Sequence, residues 1–378
     1  VDTRIDRNAL EELAKQLSAI YLDFPSLYGT SLTVNIELTD IYRLNSEGLK
    51  LRMPFKSCSI STSTSARTAY GAEISESYDI PFDPTSFNAD ELAGLVREFA
   101  QAIKDKSEAP GVRDFYIGPI LLERDCVAES FNTIFKEVGK ARTTWSPNIL
   151  YSNQYGNMTG SMVLGKRILD QKLNLHLYSD MKSYKGQDVA GHYSIDFDGL
   201  TPPDDFTVIE KGILRNMICG RTPAPGATRP TGHGRIPYYY QTKPQVGFSI
   251  MHVTSEKTSP MSKMKAKLIS EAKKNGLDHT YMLRNITYNC YMLSRIDVKT
   301  GKEELVQPDD IPQFGRQDFK HVLAASSEEA LQNYDFNYTT GQLSTVIAPQ
   351  AMILESVEMQ LVKPSPAEPF QLTNPAWR

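Results

Sequence analysis

Apolar residues recur at helical spacing in four stretches of the chain. In residues 6–20 they are Leu10, Leu13, Leu17 and Ile20, all on one face. Behind Asn88, with Glu91 placed as in a capping box, the stripe is Leu92, Leu95, Val96, Phe99 and Ile103. In residues 122–138 it is Val127, Phe131, Ile134, Phe135 and Val138. The last is Met261, Met264, Leu268 and Ala272, with Lys263, Lys265, Lys267, Lys273 and Lys274 interleaved as a solvated face. Elsewhere the period falls to two. "SLTVNIELTD" alternates through Leu32, Val34, Ile36 and Leu38, as a half-buried strand does. "YRLNSEGLKLRMP" predicts a strand, a turn at Ser46-Glu47-Gly48 and a second strand, and "SISTSTSARTAYGAEIS" a further strand. "FYIGPILLE" and "LNLHLY" are strand-like, and hairpins are expected about Lys211-Gly212 and Thr300-Gly301. "STVIAPQAMILESVEMQLV" closes the strand pattern.

Helices and strands thus come in separate runs rather than alternating units, which predicts an α+β chain. The polar segment "KSEAPGVRD" (106–114) is the expected boundary. It divides an N-terminal α+β domain, 1–110, from a large, mostly antiparallel β domain, 111–378, on which the helix 122–138 packs. The Pro/Gly-rich stretch 221–240 is long for a loop inside a compact domain, and loops of that kind are usually functional or disordered. It carries Tyr238, Tyr239 and Tyr240, residues suited to an interface or a peptide groove.

Composition narrows the field. The 378 residues carry a net charge of −4, which gives no electrostatic footprint for direct nucleic-acid binding. No apolar run is long enough to span a bilayer. The four cysteines are widely separated, which fits a reducing compartment and makes a cytoplasmic location the expectation. The chain starts at Val1 rather than Met, so an upstream segment is expected, and export through a removed signal peptide stays open.

The chemistry is sparse. His176, His192, His233, His252, His279 and His321 form no HExxH pair, and neither a GxSxG elbow nor a Walker loop is present. His176, between Leu175 and Leu177, suits a structural role. "TGHGR" (231–235) sets His233 and Arg235 beside glycines that let backbone approach a ligand, which makes it the best local binding candidate.

Several segments resemble the TldD/PmbA family in order. They are "YRLNSEGLKL", "GPILLERDCVAESFNTIF", "SMVLGKRI", "FDGLTPPDDFTVIEKGILRNMI", "PTGHGR" and "STVIAPQAMILESVEMQ", spanning about residues 40–362. On this resemblance the family's extreme N-terminal segment is expected to be absent from the sequence. The resemblance implies a helix ending in HExxxH in TldD-type members, with metal-binding histidines, a general-base glutamate and a cysteine ligand near the C-terminus. Laid on "FKEVGK", the histidine slots hold Phe135 and Lys140 and the glutamate slot holds Lys136, while "NYDFNYTTGQLSTVIAPQ" lacks a cysteine. Neither a metal nor another cofactor is therefore expected.

The resemblance implies a peptidase-related protein of the non-catalytic PmbA (TldE) type that handles peptide or protein substrates. Its partner would be a second copy or a metal-binding TldD-like subunit. One alternative is an active hydrolase centred on Asp198, His233, Arg235 and Tyr238; another is a DNA gyrase modulator or regulatory protein.

Overall fold

The computed structural model describes residues 5–140, 163–222, 227–235, 245–286, 290–337 and 342–365. Tyr238 to Tyr240 lie outside the described residues. So does most of the segment around "SMVLGKRI" that precedes Val163.

The first helix, α1 (Arg7–Ala19), starts where Asp6 accepts the N–H groups of Asn8 and Ala9. It buries Leu10, Leu13 and Leu17. Asn88 caps α2 (Ala89–Glu108) in the same manner, through the N–H groups of Asp90 and Glu91. Both helices share one apolar cluster with the antiparallel sheet β1 (Leu27–Leu44), β2 (Lys50–Arg67) and β3 (Glu73–Pro81). Cys290 and Met292 join this cluster from later in the chain.

One expectation is corrected here. The segments expected as separate strands on either side of Asp40 are a single strand, and so are those on either side of Phe55. No glycine falls within 31–44 or 50–63, and cross-strand pairing continues without a break from Ser31↔Ser63 to Leu44↔Lys50. Strand β3 pairs only with Ser59–Arg67, so the rest of the β1–β2 ribbon projects as a two-stranded arm. Pro54, opposite Asp40, falls in the stretch of β2 that β3 does not reach, an edge position of the kind that tolerates proline. At the tip Asn45 Oδ1 accepts from the N–H groups of Glu47 and Leu49.

The remainder is built on two sheets. The seven-stranded sheet runs 258–259, 322–326, 351–361, β4 (Asp114–Glu123), 279–285, 291–297 and 303–306. The six-stranded sheet runs 329–337, 342–349, 250–255, 173–178, 206–210 and 213–214. Three neighbour pairs are parallel, namely 258–259 with 322–326, β4 with 279–285, and 250–255 with 342–349. The other pairs are antiparallel, and the class is α+β.

Alternation along β4 shows how the layers stack. Ile120 and Leu122 belong to the cluster that unites α3 (Asp125–Val138) with side chains of both sheets. Leu121 points the other way, into a cluster with Met264 and Leu268 of α4 (Met264–Lys274). The seven-stranded sheet is therefore covered on both faces, and α3 lies in the main core. Its whole stripe, Val127, Phe131, Ile134, Phe135 and Val138, is buried. Each such side chain contributes on the order of 2 kcal/mol by leaving water. Both expected hairpins are present, pairing Glu210 with Ile213 and Ile296 with Glu303. Positive φ at Lys211 and Gly212 makes the first a tight turn of the kind favoured by strand twist.

Candidate functional site

Two regions concentrate buried polar groups. The first is a knot formed by residues 196–200 and 231–235. Asp196 is almost fully buried, and its carboxylate accepts from three backbone N–H groups, those of Asp198, Leu200 and Gly234. Burial nevertheless pushes its pKa up, and the neighbouring Asp198 adds to this. Gly234 permits the approach: a Cβ there would sit 2.8 Å from an Asp198 oxygen and 3.0 Å from an Asp196 oxygen. Asp198 itself faces outward, holding the Arg43 guanidinium at 3.1 Å and the Arg221 N–H at 3.1 Å.

His233 is enclosed, with Phe206 packed against its ring and Nδ1 3.0 Å from Thr231 Oγ1. The Thr231 hydroxyl already donates to Cys219 O, so Nδ1 carries the proton and donates to Thr231. Nε2 then presents a lone pair that meets no donor among the described residues. Burial first, and the Arg235 charge after it, pull this imidazole down to about 3. It is a neutral ring at physiological pH.

Arg235 is buried as well. Its Nη2 donates to the Leu343 carbonyl, its guanidinium lies 4.5 Å above the Tyr193 ring, and Nε has no partner among the described residues. Beside it opens a cleft of about 400 Å³ between the β1–β2 arm and the body. Leu51, Met53 and Phe55 supply the arm wall, and Tyr193, Ile195 and Arg235 the facing one. The arm is pinned there by Arg43, which donates to Phe197 O and Asp198 and lies 4.1 Å over the Phe197 ring. Glu47 at the arm's tip pairs with Arg221. The structure thus brings Asp198, His233 and Arg235 together, but only Arg235 of the three lines the cleft.

The second region is the cavity beside α3, about 570 Å³, which takes Cys126, Glu129, Ser130 and Lys136 from the helix. Glu76 and Lys106 close one side as a largely buried ion pair, and Gln307–Phe314 close another. Glu129 accepts from Asn285 Nδ2 at 2.6 Å and from the Tyr291 hydroxyl. Burial outweighs those bonds and raises its pKa well above the ordinary carboxyl range. At the C-terminal end of α3, Phe135 is 1% exposed and meets Phe248 edge-on at 5.0 Å. A Cβ on Gly139 would lie 2.4 Å from the Phe135 ring, so the glycine makes room for it. Lys140 is drawn down to about 8 by burial and by the Lys136 charge. Glu137 is held by Arg316 Nε at 3.0 Å.

Residues 119–284 match the model of the PmbA/TldA metallopeptidase C-terminal domain. Over this stretch the chain matches the TldD/PmbA family. Solved structures agree on the fold. TldE from Thermococcus kodakarensis superposes with a TM-score of 0.56 at 13% identity, covering 92% of this chain and 73% of that one. A proposed modulator of a DNA gyrase from Thermotoga maritima gives 0.57 at 12%, covering 94% and 74%. A proposed modulator of DNA gyrase from Bacteroides thetaiotaomicron gives 0.60 at 13%, covering 95% and 72%. A search of curated proteins gives no match.

Placed in the TldD/PmbA frame, the α3 terminus does not fit a metal. Phe135 has no donor atom and its ring is committed to the core. Lys136 and Lys140 bring positive charge, and the carboxylate of Glu137 is engaged by Arg316. Among the described residues no group of three or more His, Cys, Asp and Glu side chains is arranged to hold a metal ion. Sequence reasoning missed Asp196, Tyr193, Arg43 and Glu129. Only the first left a signal, the Asp196-Phe197-Asp198-Gly199 turn chemistry.

Proposed function

We propose that the chain is a non-catalytic, TldE-like member of the family that handles peptide or protein substrates together with a metal-bearing, TldD-like subunit or a second copy of itself. The observation that carries this is Phe135, buried against Phe248 where TldD-type members would present a metal-binding histidine. A lysine in the second histidine slot and another in the glutamate slot support the same reading. Zinc needs three or four lone-pair donors, and this helix end supplies one carboxylate already in an ion pair. We expect neither metal nor cofactor to be required by this chain. The division into residues 1–110 and 111–378 remains our working one.

The hydrolase alternative finds less support. His233 would have to serve as base, yet its imidazole is walled in, faces Phe206 and stays off the cleft. The net charge of −4 favours a protein or peptide partner over direct DNA contact.

Elemental analysis of protein never exposed to chelators, paired with a peptide-cleavage assay, tests the proposal. The expected result is no stoichiometric transition metal and no cleavage by the chain alone. Stoichiometric zinc, or cleavage that a chelator abolishes, would overturn it.

A further inference from the structure

Arg235 is a cation buried to 6% exposure, and no carboxylate among the described side chains forms an ion pair with it. A guanidinium held away from water is costly unless its donors find an anion, and its planar fork suits a carboxylate. Among the described residues Arg235 has instead one carbonyl, the Tyr193 side chain, the Asp196 charge at a longer range than an ion pair, and an Nε without a partner.

The surroundings point the same way. Arg235 forms part of the cleft wall, opposite Leu51, Met53 and Phe55 of the arm, with Ile195 beside it. At about 400 Å³ the cleft is of a size for one or two amino-acid residues. Two other charged groups, and the imidazole of His192, reach it. Arg52 is neutralised by Asp40 at 2.7 Å, and the Asp196 carboxylate is occupied by its three backbone donors. Among the described residues Arg235 is therefore the cationic group of this cleft that has no carboxylate in direct contact.

We infer that the cleft is a carboxylate subsite, in which Arg235 takes the carboxylate of a peptide and the arm's Leu51, Met53 and Phe55 cover an adjoining apolar side chain. This rests on the peptide-handling reading above and names the group that the peptide offers. The carboxylate comes either from a peptide C-terminus or from an acidic side chain, and Arg235 would meet both alike.

The test is calorimetry on the full chain with four probes. They are N-acetyl-phenylalanine, its amide, a blocked pentapeptide ending in a free-acid phenylalanine, and its C-terminal amide bearing an internal Glu-Phe pair. The acids are expected to bind at least tenfold tighter than N-acetyl-phenylalanine amide. Arg235→Gln should abolish that preference and Arg235→Lys should retain part of it. Leu51→Ala, on the arm wall, should weaken acid and amide alike while keeping the preference for the acid, so that loss of preference in Arg235→Gln is told apart from a general loss of the cleft. Tight binding of the Glu-bearing amide assigns the site to acidic side chains; its failure beside a bound free acid assigns it to C-termini. Equal binding of acid and amide overturns the subsite and leaves peptide handling intact. Binding of acetyl-phenylalanine without either longer peptide overturns peptide handling and leaves the subsite. If no probe binds, both fall.

Discussion

At the end of α3 the protein buries carbon; in the 196–235 knot it buries charge. Phe135 fills a slot between Phe248 and Gly139, and its neighbours contribute positive charge. Some residues further on, Asp196, His233 and Arg235 are all enclosed: Asp196 by backbone N–H groups, His233 as a neutral ring on the Thr231 hydroxyl, and Arg235 by a carbonyl and the Tyr193 ring without a direct ion pair among the described residues. A metal-dependent family member would place its costly polar groups at the helix. Here the helix end is ordinary core, and the costly groups sit beneath the β1–β2 arm. Because an unpaired buried charge lowers stability, its retention is better explained by a ligand than by folding.

The sharpest way to break the comparison is to empty the α3 slot. Phe135→Ala should destabilise the chain by about 3–5 kcal/mol, read from chemical denaturation. A midpoint equal to the parent's would mean that Phe135 is not a core residue and that its slot is open to other chemistry.

A second difference is one of sign. His233 is depressed to about 3 in the fold from an ordinary value near 6.5. A depressed group contributes stability that is present above pH 6.5 and lost as pH falls toward 3. Between pH 7 and pH 5 that loss is about 2 kcal/mol, which His233→Gln should remove. Glu129 is shifted the opposite way, well above its ordinary value of 4.5. Its contribution is present below 4.5 and lost as pH rises toward the raised value, so Glu129→Gln should relieve a loss on the alkaline side. Parallel pH–stability curves for parent and both variants would show that neither group is as enclosed as the structure has it.

Much of the fold was legible because it rests on local periodicity. The α3 stripe, the Asn88 cap and the Lys211-Gly212 hairpin follow from side-chain spacing and turn chemistry alone. The single long ribbon of β1 and β2 was not, because its outer half pairs with nothing beyond itself and carries polar residues on both faces. At the site, glycines around His233 and Arg235 betrayed a close backbone approach. Asp196, Tyr193 and Arg43 stayed hidden because their roles depend on contacts across long sequence separations, such as Arg43 with Asp198. Glu129 looked like one more helix-surface acid until Tyr291 and Asn285 closed over it.

The smallest expected effect concerns what holds the arm over the cleft. Among the described residues, two ion pairs join the outer part of the arm to the cleft's facing side, Arg43–Asp198 and Arg221–Glu47. They differ in solvent access: the side chains are 25% and 10% exposed in the first, against 51% and 59% in the second. Water and salt screen the exposed pair, so Arg221→Ala should leave stability unchanged within error. Arg43 has more to lose, since it also donates to Phe197 O and lies over the Phe197 ring. Arg43→Ala should cost about 1–2 kcal/mol. A double-mutant cycle with Asp198→Asn should give a coupling of about 1 kcal/mol that survives added salt. Limited proteolysis within the arm should quicken in Arg43→Ala and not in Arg221→Ala. Equal protection in both variants would show that the apolar wall of Leu51, Met53 and Phe55, rather than the buried ion pair, keeps the arm in place.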